Sequence, residues 1–127
     1  MSIFVIDDHP LMREAISGLI RRLRPSAKVV EIERMSNMAK VLADYGEAEL
    51  VCLDLKMPDT NGVSAVREIR QLMPDTVIVV VSASSASDYA DLTREVGADA
   101  YVEKSAGAQE IGRVLRDFLS DDADDGS

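Results

Sequence analysis

Ile3-Phe4-Val5-Ile6-Asp7-Asp8 sets a short aliphatic run against two adjacent acids, and Leu50-Val51-Cys52-Leu53-Asp54 repeats the pattern with one acid. Short apolar runs rich in β-branched residues and bounded by polar loops read as strands buried on both faces of a sheet. Val77-Ile78-Val79-Val80-Val81 is a third such run and leads into Ser82; Ala100-Tyr101-Val102 is a fourth and leads to Lys104. Val29-Val30-Glu31-Ile32 is half polar, which suits an edge strand.

Helical patterns separate these runs. Leu11, Ala15, Leu19 and Leu23 recur every four residues beside Met12, Ile16 and Ile20, which predicts one apolar helix face stopped by Pro25. Ser36 is expected to cap a second helix carrying Met38, Ala39, Val41 and Leu42 and ending near Gly46. Val63, Val66, Ile69, Leu72 and Met73 mark a third, closed by Pro74. Tyr89, Leu92, Thr93 and Val96 mark a fourth with Gly97 as its C-terminal cap, and Ile111, Leu115 and Leu119 give the fifth its buried stripe beside Val114 and Phe118. The alternation predicts an α/β fold, a (βα)5 doubly wound parallel sheet of flavodoxin-like type with strand order 2-1-3-4-5. In that order the chain reverses direction between strands one and three, and ligands bind beyond the carboxyl ends of strands at such a switch point. Asp7, Asp8 and Asp54 end those two strands.

A chain of 127 residues is expected to form one domain, spanning residues 1–120 and burying roughly two-thirds of its unfolded surface. Residues 121–127, with Asp121, Asp122, Asp124 and Asp125, read as an acidic, solvated and disordered tail or linker. The net charge of −9 argues against direct contact with nucleic acid, whose phosphates are bound by basic faces. The lone Cys52 lies within an apolar run, which excludes an internal disulfide and a cysteine-built metal site and leaves a buried small hydrophobe. No run is long enough to span a bilayer, and Met1 leads almost at once into a strand without room for a charged leader, so the expected location is cytoplasmic.

Three carboxylates brought close repel one another, so the cluster needs a cation, a proton or a lysine to persist at neutral pH. A divalent metal is the natural remedy, and carboxylates around a hard metal are equipped to handle phosphate. Each acid has a plainer alternative in a strand-end turn or a helix N-cap, and Lys104 could be an ordinary surface lysine. Their joint arrival at one sheet edge is what favours chemistry.

The set resembles the receiver domain of bacterial response regulators in two-component signalling. The similarity is carried by Asp7-Asp8, by Asp54 with Met57-Pro58 and Gly62, by Ser82, and by Tyr101 with Lys104. Asp8-His9-Pro10-Leu11-Met12-Arg13 looks more particularly like the branch with a C-terminal LuxR/NarL/FixJ-type helix-turn-helix, which implies control of transcription through an effector domain absent from this chain. The resemblance implies that Asp54 is the phosphoacceptor and that Mg²⁺, or alternatively Mn²⁺, is held by Asp7, Asp8, Asp54 and the main-chain carbonyl of Lys56. It implies that Lys104 and Ser82 contact the phosphoryl group and that Tyr101 is an aromatic switch. A histidine kinase would be the donor, with small acyl phosphates as substitutes, and phosphorylation would favour a homodimer through the face of the fourth helix, fifth strand and fifth helix. Such a domain is no conventional enzyme, since it catalyses its own aspartyl phosphorylation and dephosphorylation.

Two positions depart from the family pattern. Ser105 stands where many receivers have proline after the lysine, so no cis bond is expected there. Lys56 places a long cation at the mouth of the site, where it would tune dephosphorylation. His9, the single histidine, reads as a loop or helix-start residue near the metal site and not as a relay histidine. Two rivals are an unphosphorylated, receiver-like interaction module and an aspartyl-nucleophile hydrolase. The second is disfavoured because Lys56 occupies the position two past Asp54 where that class carries an acid.

Overall fold

The computed structural model describes residues 2–59 and 61–119; the acidic segment at 121–127 lies outside them. Five strands and five helices alternate: β1 (Ser2–Ile6), α1 (Pro10–Leu23), β2 (Lys28–Ile32), α2 (Met38–Tyr45), β3 (Leu50–Leu53), α3 (Gly62–Leu72), β4 (Val77–Ser82), α4 (Ala86–Glu95), β5 (Ala100–Glu103) and α5 (Gly107–Leu119). All strand pairs are parallel, in the order β2-β1-β3-β4-β5.

Strand side chains alternate between two faces, and each face has its own core. Phe4, Ile6, Val51, Leu53, Ile78 and Val80 pack against Met38 of α2 and Ala65, Val66 and Ile69 of α3. Ile3, Val5, Leu50, Cys52, Val79 and Val81 pack against Ile16 and Ile20 of α1 and Ile111, Leu115 and Leu119 of α5. Covering both faces explains why β1 and β3 read as unbroken aliphatic runs, whereas β2, exposed at the edge, admits Lys28 and Glu31. Truncating one fully buried Ile or Leu of either layer to Ala would cost about 2–5 kcal/mol. Cys52 is buried, and burial pushes its thiol up to about 12. Among the described residues no helix is long and apolar enough to cross a membrane.

Four local expectations are corrected. Leu11 is 83% exposed. The face that α1 turns inward runs through Ile16, Ser17 and Ile20, one position away from the row that starts at Leu11. Ser36 does not cap α2; it sits inside a short 3-10 turn, Met35–Asn37, that precedes the helix. The carboxylate of Asp59 takes the capping role there, accepting from the Ser36 amide at 2.9 Å and the Met35 amide at 3.3 Å. In α4, Leu92 and Tyr89 are exposed while Thr93 is fully buried, its hydroxyl donating to the carbonyls of Tyr89 and Ala90. Ser82 is the last residue of β4 and wholly buried, not a loop residue beyond the strand.

At the opposite edge of the sheet, the Arg70 guanidinium gathers the end of α3 and the turn after α4. It donates to the carbonyls of Thr76 (2.6 Å), Gly97 (2.7 Å) and Pro74 (2.8 Å) and to the Asp99 carboxylate (3.1 Å). Gly97 has φ of +122°, and a Cβ there would fall 2.9 Å from Arg70 Cγ, so both backbone and space call for glycine. Arg70→Met should lower stability by about 2 kcal/mol, since it removes several charge-assisted hydrogen bonds at once. Urea unfolding should show a lower midpoint with an unchanged slope.

Candidate functional site: an acidic cluster at the switch point

The ladder hydrogen bonds run one residue past the strands and deliver the acids. The Asp7 amide donates to Ile32 of β2 at 3.0 Å, and the Asp54 amide donates to Ile6 of β1 at 2.9 Å. Both carboxylates are therefore set by the sheet itself, and Asp7 and Asp54 are only 1% and 2% exposed. Arg13 from α1 braces the turn from outside, donating to the Asp7 carbonyl at 2.7 Å and to Glu31 at 3.2 Å.

Lys104, just past β5, places its Nζ 3.0 Å from Asp7 Oδ2 and 3.3 Å from Asp54 Oδ2. The structure thus brings Asp7, Asp8, Asp54 and Lys104 together as the sequence predicts. It adds His9, whose Nδ1 lies 2.9 Å from Asp7 Oδ1, 3.2 Å from Asp8 Oδ1 and 3.5 Å from Asp54 Oδ2. Lys56 meets Asp54 through its amide, at 3.1 Å from Oδ1. Its side chain is exposed.

Burial drives the Asp54 carboxyl above the ordinary carboxylate range; the Lys56 amide and Lys104 pull it back, and Asp7 pushes it up again. Lys104 is shared between Asp7 Oδ2 and Asp54 Oδ2, and beyond that ion pair these two buried oxygens and Asp8 Oδ1 have no hydrogen-bond donor. Hard oxygen donors that are buried, convergent and unsatisfied fit a divalent cation such as Mg²⁺.

The loop after β3 is shaped by packing. Leu55 and Met57 are buried, and Gly62 opens α3 where a Cβ would lie 2.9 Å from the Leu55 carbonyl oxygen. Asp59 anchors the same loop to the turn before α2, and its amide partners, Ser36 above all, hold its carboxyl below the usual range.

Ser82 accepts from the Ser84 amide at 3.1 Å, while the Tyr101 hydroxyl donates to the Ser84 carbonyl at 2.8 Å. Burial raises the Tyr101 phenol, against a lowering hydrogen bond with Ser82. Glu103 accepts from the Ala86 amide at 2.9 Å and so holds the first turn of α4. Sequence reasoning passed over Glu103, Asp59 and Arg13. Their partners lie 17, 24 and 18 residues away, and no local pattern marks them. The Lys104–Ser105 bond is trans, as expected.

A parallel sheet in this order carries an acidic cluster and a lysine at its switch point, the place where open α/β sheets bind ligands. The model of the response regulator receiver domain matches residues 3–116, and the chain belongs to that family. The nitrate/nitrite response regulator protein NarL of Escherichia coli is 30% identical over 114 residues, covering 90% of this chain and 52% of NarL. A two-component response regulator of the LuxR family from Aurantimonas sp. SI85-9A1 superposes with a TM-score of 0.80 at 31% identity, over 94% of this chain and 84% of that one. A response regulator from Burkholderia pseudomallei, solved with a phosphorylated aspartic acid, calcium ion and citrate, has a TM-score of 0.75 at 25% identity, over 99% and 72%. The chain spans about half the length of the curated relatives it matches.

The charge balance is directly testable. An acid whose folded pKa is raised gives the native state more bound protons than the unfolded chain. Its contribution to stability therefore falls as pH rises from the ordinary carboxylate range through the raised value. Asp54→Asn should melt higher than wild type at pH 7, with the difference vanishing below about pH 4. Lys104→Met should lose about 3 kcal/mol at pH 7, because it leaves the buried acids without their cation.

Proposed function

We propose that residues 1–120 form a phosphorylation-operated switch with Asp54 as the acceptor and residues 121–127 as an acidic tail or linker. The carrying observation is the buried, raised Asp54 carboxyl set against Asp7 and Lys104. An Asp54 oxygen attacks the phosphorus of a histidine-kinase phosphohistidine, or of a small acyl phosphate. A P–O bond forms, the bond to the donor nitrogen or oxygen breaks, and the donor leaves with the electron pair. Asp7, Asp8, Asp54 and the Lys56 carbonyl would hold Mg²⁺, or Mn²⁺, which supplies neutralisation of phosphoryl charge. Lys104 remains beside the acceptor and offsets charge on the phosphoryl oxygens.

Ser82 donates its hydroxyl proton to the phosphoryl group while still accepting from the Ser84 amide, so its movement draws the Ser84 loop with it. Tyr101 holds the carbonyl of that same Ser84, so displacement of the loop reaches β5 and, through Glu103, α4. The altered α4–β5–α5 face favours a homodimer and controls transcription through an effector domain outside this chain, in the cytoplasm. Support comes from the likeness to NarL and from the phosphorylated aspartate and calcium ion of the Burkholderia neighbour.

Incubation with acetyl phosphate and Mg²⁺ should add one phosphoryl group to the wild type and none to Asp54→Asn, as read by intact mass. A chelator should abolish the adduct; an adduct on Asp54→Asn would refute the assignment. Lys56→Ala should lose the phosphoryl group faster, and an unchanged decay rate would remove Lys56 from dephosphorylation control.

A further inference from the structure

The three acids of the cluster are not held equally. Asp7 is tied by its amide to Ile32, and its carboxylate meets Lys104 and the His9 amide. Asp54 is tied by its amide to Ile6, and its carboxylate accepts from the Lys56 amide. Asp8 has the loosest setting. Its side chain is 29% exposed, faces the His9 ring at 3.2 Å, and takes its direction from the peptide that joins it to Asp7. The oxygen of that peptide is the Asp7 carbonyl, which accepts from Arg13 Nη1 at 2.7 Å.

Arg13 is itself held in place. Its Nε donates to Glu31 Oε1 at 3.2 Å, and Arg21 Nη2 stands 3.7 Å from the other oxygen of that carboxylate. The Arg13 side chain is only 17% exposed. Glu31 pairs in register with Val5 and is followed by Ile32, whose carbonyl takes the Asp7 amide. Both polar groups of the Asp7 backbone are therefore tied to consecutive residues of the edge strand β2, one directly and one through Arg13. A planar guanidinium carries two bonds in fixed directions, which a lysine ammonium does not. As a plain ion pair, Arg13 and Glu31 would contribute little. The backbone carbonyl between two site acids is what gives the pair a purpose.

We propose that Arg13, oriented by Glu31, is a positioning residue: it fixes the plane of the Asp7–Asp8 peptide and so holds the Asp8 carboxylate ready for the divalent cation. The inference rests on the metal-binding part of the proposed function. The edge strand, which supplies no acid to the cluster, thereby sets its geometry. Groups that hold metal ligands from behind set affinity by roughly ten- to hundredfold. Because Arg13 prepares the empty site, its contribution falls on the Mg²⁺ concentration required and not on the rate once the ion is bound.

The probe is Mg²⁺ alone, titrated calorimetrically into wild type, Arg13→Gln, Glu31→Gln and the double variant, with Arg70→Met as a destabilised control. Arg13→Gln should bind Mg²⁺ about tenfold more weakly and Glu31→Gln about threefold. The double variant should bind no more weakly than Arg13→Gln, since both residues act through one bond. Arg70→Met should bind as wild type does. With acetyl phosphate, Arg13→Gln should need about tenfold more Mg²⁺ for half-maximal phosphorylation, yet come within about twofold of the wild-type rate at saturation. A folded Arg13→Gln with wild-type Mg²⁺ affinity overturns the proposal. So does an equal loss in Arg70→Met, which would assign the effect to general destabilisation, and so do additive losses from Arg13 and Glu31. If Arg13→Gln does not fold, Glu31→Gln decides, and unchanged affinity there overturns the proposal. In each of these cases Mg²⁺ binding by wild type leaves the receiver-type metal reading standing; failure of wild type to bind Mg²⁺ overturns both.

Discussion

The repulsion between Asp7 and Asp54, two carboxylates held almost out of water, is the constraint on which the rest of the site depends. Neither can retreat, because each amide continues a ladder bond of the parallel sheet. Lys104 reaches both, but a single ammonium is shared between them while the Asp8 carboxylate lies in the same cluster. In a low-dielectric setting that residual demand for positive charge is strong, and it is met by whatever cation the site admits. Burial first, and the Asp7 charge after it, raise the Asp54 carboxyl, and its environment is therefore responsive to added phosphoryl and metal charge.

A site so rigidly supplied on one side can move only on the other. The β1 and β3 ends are locked between two packed layers, whereas the β4–α4 loop is held by hydrogen bonds from Ser82, Tyr101 and Glu103. Ser82 and Tyr101 both grip Ser84, and Glu103 grips Ala86 from the residue next to Lys104. Rearrangement at the acids therefore has a short route to α4, where Tyr89 and Leu92 already face outward. A two-state loop of this kind needs no change in the sheet.

Most of the architecture was legible because its signals are periodic. Continuous aliphatic runs mean strands covered on both faces, and five of them alternating with helical patterns leave few topologies. The acids and Lys104 were legible because strand ends converge at the switch point. What escaped was set by tertiary contacts. Ser36 looks like a cap by residue type, but the donors beside it are taken by Asp59 from another loop. Leu11 fits an apolar row by spacing alone, yet the helix is rotated so that Ile16 and Ile20 face the sheet. His9 was placed near the cluster by its position after two acids, but the contact of its ring with Asp7 was not readable, since that position carries no sign of where the ring points.

Thermal unfolding of the wild-type domain across a Mg²⁺ series tests the central claim most directly. A cluster held together against its own repulsion, and completed by a cation, should be stabilised in proportion to the logarithm of Mg²⁺ concentration above the dissociation constant. The midpoint should climb with Mg²⁺ and not respond to matched ionic strength from a monovalent salt. A midpoint indifferent to Mg²⁺, or one that rises equally with the monovalent salt, would contradict it.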